Sequence, residues 1–264
     1  MSISKLLLLF GINTKITKLA FHSLPIYLRE LSILKKQLNK TNNEFSITRK
    51  KPCFEDRNSE GGTANGHYFH QDLLVAQQVF TNKPIKHLDI GSRIDGLVAH
   101  IASFRCIDVM DIRPLRNTIP NICFIQADLM MPISASLYEA FDSISCLHAL
   151  EHFGLGRYGD PIKHDGHLIG LENIARMLKA GGKFYFSTPI GPQRIEFNAH
   201  RVFSIRYLLS QFEGVYNVDN FSFVDDQGDL HKNVGLNPEL INSNCFCKYG
   251  CGIFEMTKVK NARN

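Results

Sequence analysis

From His67 onward the chain alternates short, strand-like apolar runs with amphipathic helical ones, and that alternation leaves few folds open. HQDLLVAQQVF (70–80) has helical spacing, and Pro84 then introduces IKHLDIG (85–91), a buried strand ending in a glycine turn. IDGLVAHIASF (94–104) reads as a helix, while CIDVMDI (106–112), NICFIQADL (121–129) and FDSISCLHAL (141–150) read as strands. LIGLENIARMLKAGG (168–182) is a helix that Gly181 and Gly182 would stop, followed by the strand KFYFSTPI (183–190). A helix at SIRYLLSQF (204–212) and late strands at VDNFSFV (218–224) and GIFEMTKV (252–259) complete the pattern. Such alternation predicts an α/β fold, a mostly parallel sheet with helices on both faces.

In sheets of this kind ligands bind beyond the carboxyl ends of the strands, near the point where strand order reverses. The first strand runs into Asp89-Ile90-Gly91-Ser92-Arg93-Ile94-Asp95-Gly96, where Gly91 permits a tight turn and Gly96 would let the following helix sit close to the strand. The second ends in Asp111-Ile112, 22 residues after Asp89, where a carboxylate can accept both ribose hydroxyls of a nucleoside. The third ends in Asp128-Leu129, an acceptor beside an apolar residue, which suits an adenine ring and its amino group. These ends describe a nucleoside site. A dinucleotide would want G-x-G-x-x-G to seat its pyrophosphate, but Ser92 and Arg93 stand where the second glycine belongs, and no P-loop occurs. A nicotinamide dehydrogenase is disfavoured for the same reason.

The net charge of +5 would hint at a nucleic-acid partner if it were spread over the chain. Residues 1–51 instead carry ten Lys and Arg against two Glu, and the remainder is mildly acidic. A nucleic-acid-binding body is therefore not expected. Residues 1–51 read as a basic helical extension, split into two helices at Pro25, and either lie peripherally on an anionic membrane or on a partner, or form an ordinary helical cap with a solvated basic face. Residues 52–66, rich in glycine and small polar side chains, read as a linker or flap, and residues 67–264 as the main domain. The apolar run Leu6–Phe10 is far shorter than the ~20 residues of a spanning helix and has no clear cleavage site after it, so a cytoplasmic location is expected.

Seven cysteines, an odd number, fit a reducing compartment better than a disulfide framework. Cys245, Cys247 and Cys251 form C-x-C-x3-C, without a second C-x-x-C pair or a histidine at zinc-finger spacing, and Asp160, Asp165 and His167 read as loop residues. No metal site is expected.

The segments HLDIGSRIDG, VMDIRPL, FIQADLMM, FDSISCLHALEHF, ARMLKAGGKFYFSTP and HRVFSIRYLLSQF, in that order, make residues 85–259 resemble a class I S-adenosylmethionine-dependent methyltransferase. More narrowly, GHYFHQDLLVA, HALEHFGLGRYGDP and RIEFNAHRVFS resemble a methyltransferase-like family of unknown function, first noted in nematodes and found also in bacterial surface-polysaccharide clusters. The resemblance implies a Rossmann-like sheet of seven strands, the last antiparallel, and S-adenosyl-L-methionine as cofactor. It implies cofactor contacts at Asp89, Gly91, Asp111 and Asp128, to which Ser92, Gly96, Ile112, Leu129 and His148 are added as neighbours at the strand ends.

One departure matters. The family's loop is D-x-G-x-G-x-G, and Arg93 stands at its middle glycine, where it either crowds the cofactor's methionine tail or pairs with the tail carboxylate. After the fourth strand, His152 is the first choice of general base, with His200 its competitor and Glu151 either orienting His152 or exposed. The glycine-rich stretch 154–167 offers Arg157, Tyr158 and Asp160 to a small-molecule or glycan acceptor, and Arg194 and Arg201 would hold a phosphate on it unless they are salt-bridged at the surface. The expected activity is methyl transfer to an oxygen of a sugar or surface-glycan precursor. The alternative is an inactive scaffold of the same fold, blocked by Arg93. Oligomeric state is not legible.

Overall fold

The computed structural model describes residues 3–40, 45–59, 61–62 and 64–260. Parts of the expected N-terminal extension and linker (residues 1, 2, 41–44, 60 and 63) lie outside the described residues. The chain divides into two compact units, Met1–Thr63 and Ala64–Asn264.

In the first unit α1 (Ile3–Leu9) is followed by α2 (Thr14–Leu38). The number of helices is the expected two, but the division is not at Pro25, which lies inside α2. The break falls at Gly11, whose φ is +76°, and at Asn13, whose side chain accepts from the backbone N–H groups of Lys15 and Ile16. A cap that satisfies two free N–H groups defines a start, whereas the proline forfeits one bond within a helix of 25 residues. No residue of α2 is buried, and among the described residues no helix is long and apolar enough to cross a membrane.

The second unit begins with α3 (Gly66–Asn82), then β1 (His87–Ile90), a π-type turn at Ile94–Val98 running into α4 (Ala99–Ala102), and β2 (Ile107–Asp111). Next come β3 (Ile122–Gln126), β4 (Phe141–Leu147), α5 (Gly166–Met177) and β5 (Leu178–Ile190). A short hairpin of β6 (Arg194–Glu196) and β7 (His200–Val202) precedes α6 (Ile205–Phe212) and β8 (Tyr216–Val224). The chain closes with β9 (Leu230–His231), α7 (Pro238–Ser243) and β10 (Gly250–Lys258).

Eight strands form one sheet in the order β3-β2-β1-β4-β5-β10-β8-β9. β1 to β5 are mutually parallel, and β10 runs antiparallel between β5 and β8. This is the expected α/β architecture with its last strand antiparallel. The eighth strand is the two-residue β9, too short to leave a period-two signal. Helices cover both faces. Phe184 and Phe186 of β5 enter the core shared with α5 and α6, while Tyr185 between them enters the core shared with α3 and α4. The strand's alternation thus divides one sequence run between two cores.

The helix expected over 168–182 ends earlier, at Met177, and β5 begins at once with Leu178. Gly181 and Gly182 belong to an irregularity in which the register against β4 moves from Phe141–Leu178 to Ser143–Lys183. A Cβ on Gly182 would come within 2.9 Å of the Asp142 carbonyl oxygen, so the glycine serves close strand packing and does not stop a helix.

Candidate functional site

Chain order reverses at β1, with β2 and β3 laid to one side and β4 and β5 to the other, and a cleft opens at the strand ends there. Counted together with the solvent open to it, the space there is about 530 Å³. Ile90 and Gly91 follow β1; Met110, Asp111, Ile112 and Arg113 end β2; Ala127 to Met130 follow β3; His148, Ala149, His152 and Phe153 follow β4. Tyr158 and Asp160 close it from the glycine-rich loop. Of the expected cofactor contacts, Gly91, Asp111, Ile112, Asp128, Leu129 and His148 meet at this one cleft. Gly91 has φ +71°, and a Cβ there would stand 2.8 Å from that of Ala149, so only glycine lets the β1 turn pass the β4 turn so closely.

Asp89, Ser92, Arg93 and Gly96 do not line the cleft. Asp89 is fully buried beneath the loop, accepting from Ser145 Oγ (2.5 Å), Ser92 Oγ (2.8 Å) and the Ser92 N–H (3.1 Å). Burial pushes its carboxyl up to about 7, against the pull of those hydrogen bonds. Its work is to fix the turn. Arg93 lines the neighbouring groove, together with Asp95, Asp111 and Arg113. Its exposed guanidinium is held by Asp95, with Nε to Oδ1 at 3.0 Å and Nη2 to Oδ2 at 2.7 Å, because a carboxylate two residues away offers the bidentate partner directly. Gly96 accommodates a helix, but a different one from that expected. A Cβ there would overlap the carboxylate of Asp72 on α3, so the close approach is to α3 and not to the helix following Gly96.

Asp111 carries a partner that strand-end reasoning misses. Arg113 donates to it three times, from its backbone N–H (2.7 Å), Nε (3.0 Å) and Nη2 (2.6 Å). The guanidinium also lies over the ring of Tyr158, 4.6 Å from its centre. Asp128 accepts from the Met130 N–H at 2.8 Å, which shapes the turn and leaves its second oxygen to the cleft.

The two candidate bases lie side by side, ring centres 6.4 Å apart, but of the two only His152 lines the cleft. The Nδ1 of His152 lies 2.7 Å from the Ala199 carbonyl oxygen, so Nδ1 carries the proton and Nε2 the lone pair. Burial lowers its pKa, only partly opposed by Glu151, and the ring is neutral at physiological pH. His200 lies on the β6–β7 hairpin, packed against Tyr249 with ring centres 5.2 Å apart, and does not line the cleft. Glu151, expected beside His152 or exposed, is buried and serves His148 instead. Its Oε1 stands 2.7 Å from His148 Nδ1 and 3.8 Å from His152 Nε2. Burial opposes the charge on His148, but Cys251 and Glu151 favour it and prevail, raising its pKa well above the usual value.

The expected acceptor residues divide likewise. Tyr158 lies between the guanidinium groups of Arg113 and Arg157, and Arg157 Nη1 donates to the Ala199 carbonyl at 3.0 Å. Asp160 lines the cleft but spends its oxygens on the N–H groups of Gly154, Gly156 and Tyr158, which pins the loop. Arg201 cannot hold a phosphate. It is buried and donates to the carbonyls of Phe153 (2.6 Å) and His164 (3.1 Å), with longer contacts to Glu151 and Lys163, clamping the loop after β4 from within. Arg194 pairs with Glu196 at 2.8 Å on the hairpin, away from the cleft.

Comparisons with known proteins place this geometry in context. In fold the chain is similar to the Burkholderia thailandensis 1,6-didemethyltoxoflavin-N1-methyltransferase, solved with S-adenosylhomocysteine, at 13% identity over 72% of this chain and 78% of that one, TM-score 0.49. It is similar also to the N-methyltransferase NodS of Bradyrhizobium japonicum WM9 (12%; 73% and 88%; 0.47) and to the [4+2]-cyclase SpnF (13%; 71% and 80%; 0.49). No curated protein matches in sequence. A family model does match residues 110–245, just over half of the chain, and the chain belongs to that family, DUF268, described as a Caenorhabditis protein of unknown function.

Proposed function

We propose that the protein is an S-adenosylmethionine-dependent methyltransferase acting on an oxygen of a sugar or glycan precursor. The observation that carries this is the cleft at the strand-order reversal, where Gly91, Asp111, Asp128 and Leu129 meet across from the neutral imidazole of His152. The residues fit a nucleoside. The Gly91 turn is a cradle that a Cβ would fill, Ile112 and Leu129 supply apolar walls, and two carboxylates stand at neighbouring strand ends. When bound, the cofactor supplies a methyl group already activated on a sulfonium.

The protein's own part is then positioning and proton handling. Asp111 takes the ribose hydroxyls in exchange for part of its pairing with Arg113, and Asp128 takes the adenine amino group. His152 receives the acceptor's hydroxyl proton on Nε2, while its Nδ1–H stays on the Ala199 carbonyl. Tyr158 and Arg157 flank the acceptor side, and the apolar wall with its few polar groups suits a hydroxylated molecule. The basic surplus of residues 1–51 suits a peripheral contact with an anionic membrane on the cytoplasmic side, and no nucleic-acid partner is proposed.

The test is methyl transfer from labelled cofactor to glycan extracts and hydroxylated small molecules. Incorporation that His152→Gln abolishes supports the reading. Absence of incorporation across a broad panel, despite cofactor binding, favours an inactive scaffold. One observation points that way: Arg113 already occupies the Asp111 carboxylate.

A further inference from the structure

Among the described residues, one group of potential metal-binding side chains converges: His67 at the start of α3, His148 after β4, and Cys251 at the start of β10. Their donor atoms lie within 4.8 Å of one another. A tetrahedral zinc ion, with bonds of about 2.0–2.3 Å, holds such donors roughly 3.3–3.6 Å apart, so the site closes when the donors approach by about 1 Å and one of the two stacked imidazoles turns to bring both lone pairs to one ion. His148 keeps 8% of its surface and Cys251 none, while His67 is half-buried and gives the approach from solvent.

Two independent features mark this group as built for a ligand. The first is His148 Nε2, a buried ring nitrogen with no hydrogen-bond partner. Leaving such an atom unsatisfied costs its desolvation uncompensated, and a bound cation satisfies it. The second is the far side of the same ring, where Nδ1 meets Glu151 Oε1 at 2.7 Å. A carboxylate on the remote nitrogen is the arrangement that orients metal-binding imidazoles and leaves Nε2 as the donor. The His67 ring is stacked on that of His148, 5.1 Å between centres, and lies 5.5 Å from that of Tyr249. His148 also has φ +49°, an uncommon conformation for a non-glycine residue.

We infer that His67, His148 and Cys251 form a zinc site at the edge of the cleft, with Glu151 as the carboxylate that orients His148. The donor set of two imidazoles and one thiolate selects a borderline transition ion over magnesium or calcium, which want oxygen ligands. Binding displaces the thiol proton of Cys251 and any proton on His148 Nε2. Three protein ligands leave a fourth position open, as in catalytic zinc sites. Of the three ligands His148 also lines the cleft, and an ion held there would polarise an acceptor oxygen reaching it from that side, a hydroxyl whose proton would then be easier to remove. This role rests on the methyl-transfer reading, whereas the site itself does not.

The experiment uses the full chain, stripped of metal with a chelator and titrated with Co2+ and then Zn2+. The expected result is one Co2+ per chain, a near-ultraviolet thiolate-to-cobalt band, and stoichiometric displacement by Zn2+. Cys251→Ser removes the band and His148→Ala weakens binding by more than about 100-fold, while Glu151→Gln weakens it by about 10- to 100-fold. Cys245→Ser and Cys247→Ser leave the band intact. Far-ultraviolet circular dichroism reports whether each variant is folded, and the wild-type spectrum decides even where a variant is not. Absence of a thiolate band in the folded wild type overturns the inference, and so does a band that tracks Cys245 or Cys247. Zinc binding without methyl transfer would leave the site standing and remove only its role.

Discussion

The guanidinium of Arg113 holds both carboxylate oxygens of Asp111, Nε to Oδ1 at 3.0 Å and Nη2 to Oδ2 at 2.6 Å, at the strand end where a ribose would be received. A carboxylate offers about four lone-pair sites, and Arg113 occupies three of them when its backbone N–H is included. On the proposed reading, nucleoside binding competes with an internal ion pair. The arginine side of that pair is half-exposed, which limits its worth to about 1 kcal/mol. Arg113→Ala is accordingly expected to tighten S-adenosylhomocysteine binding by about fivefold in calorimetric titration. Weaker binding would mean that Arg113 contacts the ligand itself.

His152 is expected to matter for turnover and little for cofactor affinity. His152→Gln should lower kcat by about 10²- to 10⁴-fold while S-adenosylhomocysteine binding persists. Because burial lowers the His152 pKa from 6.5, wild-type activity should be level above pH 6.5 and fall on acidification below it, as the imidazole takes a proton. A variant that loses cofactor binding and turnover together would assign His152 to the cofactor instead.

Two buried groups under the site pull folding stability in opposite directions with pH. His87, pushed down to about 3 by burial and by Arg105, stays neutral in the fold, while its unfolded counterpart takes a proton below about 6.5. Its contribution is therefore lost as pH falls from about 6.5 towards 3. Asp89, pushed up to about 7, keeps a proton in the fold that the unfolded chain has released above about 3.8, so its contribution grows as pH falls through that window. Asp89→Asn removes this offset. Urea unfolding between pH 7 and pH 4 should show a steeper acid loss in the variant, by up to about one proton in slope. Parallel curves would show that Asp89 is ionised in the fold.

Much of this molecule is legible in its sequence, for identifiable reasons. The strands ending at Ile90, Asp111, Gln126 and Leu147 are short apolar runs bounded by turn residues, and a parallel order results from the helices between them. Position at a strand end is equally informative: Asp111 and Asp128 reach one cleft, since the sheet carries both carboxylates to the same edge. Roles that depend on a partner distant in sequence are not legible. Arg201 looks like a surface cation until the carbonyls of Phe153 and His164 close around it. Glu151 sits next to His152 in the chain, yet the short helical turn at Leu150–His152 directs it to His148. His67 and Cys251 stand at opposite ends of the domain, so no spacing rule joins them, and Cys251 reads instead as the last member of a cysteine triplet. The signal for Arg113 is present in the chain, two residues beyond a strand-terminal aspartate.

The most direct test of the nucleoside cleft is calorimetric titration of the wild type and an Asp111→Ala variant with S-adenosylhomocysteine. Saturable 1:1 binding to the wild type is expected, with a loss of at least about tenfold in the variant. The melting point should rise with ligand, by the equivalent of about 2.7 kcal/mol at 100 times the dissociation constant. A folded wild type that binds no S-adenosylhomocysteine, or a variant that binds it equally well, would contradict the assignment of the cleft to this cofactor.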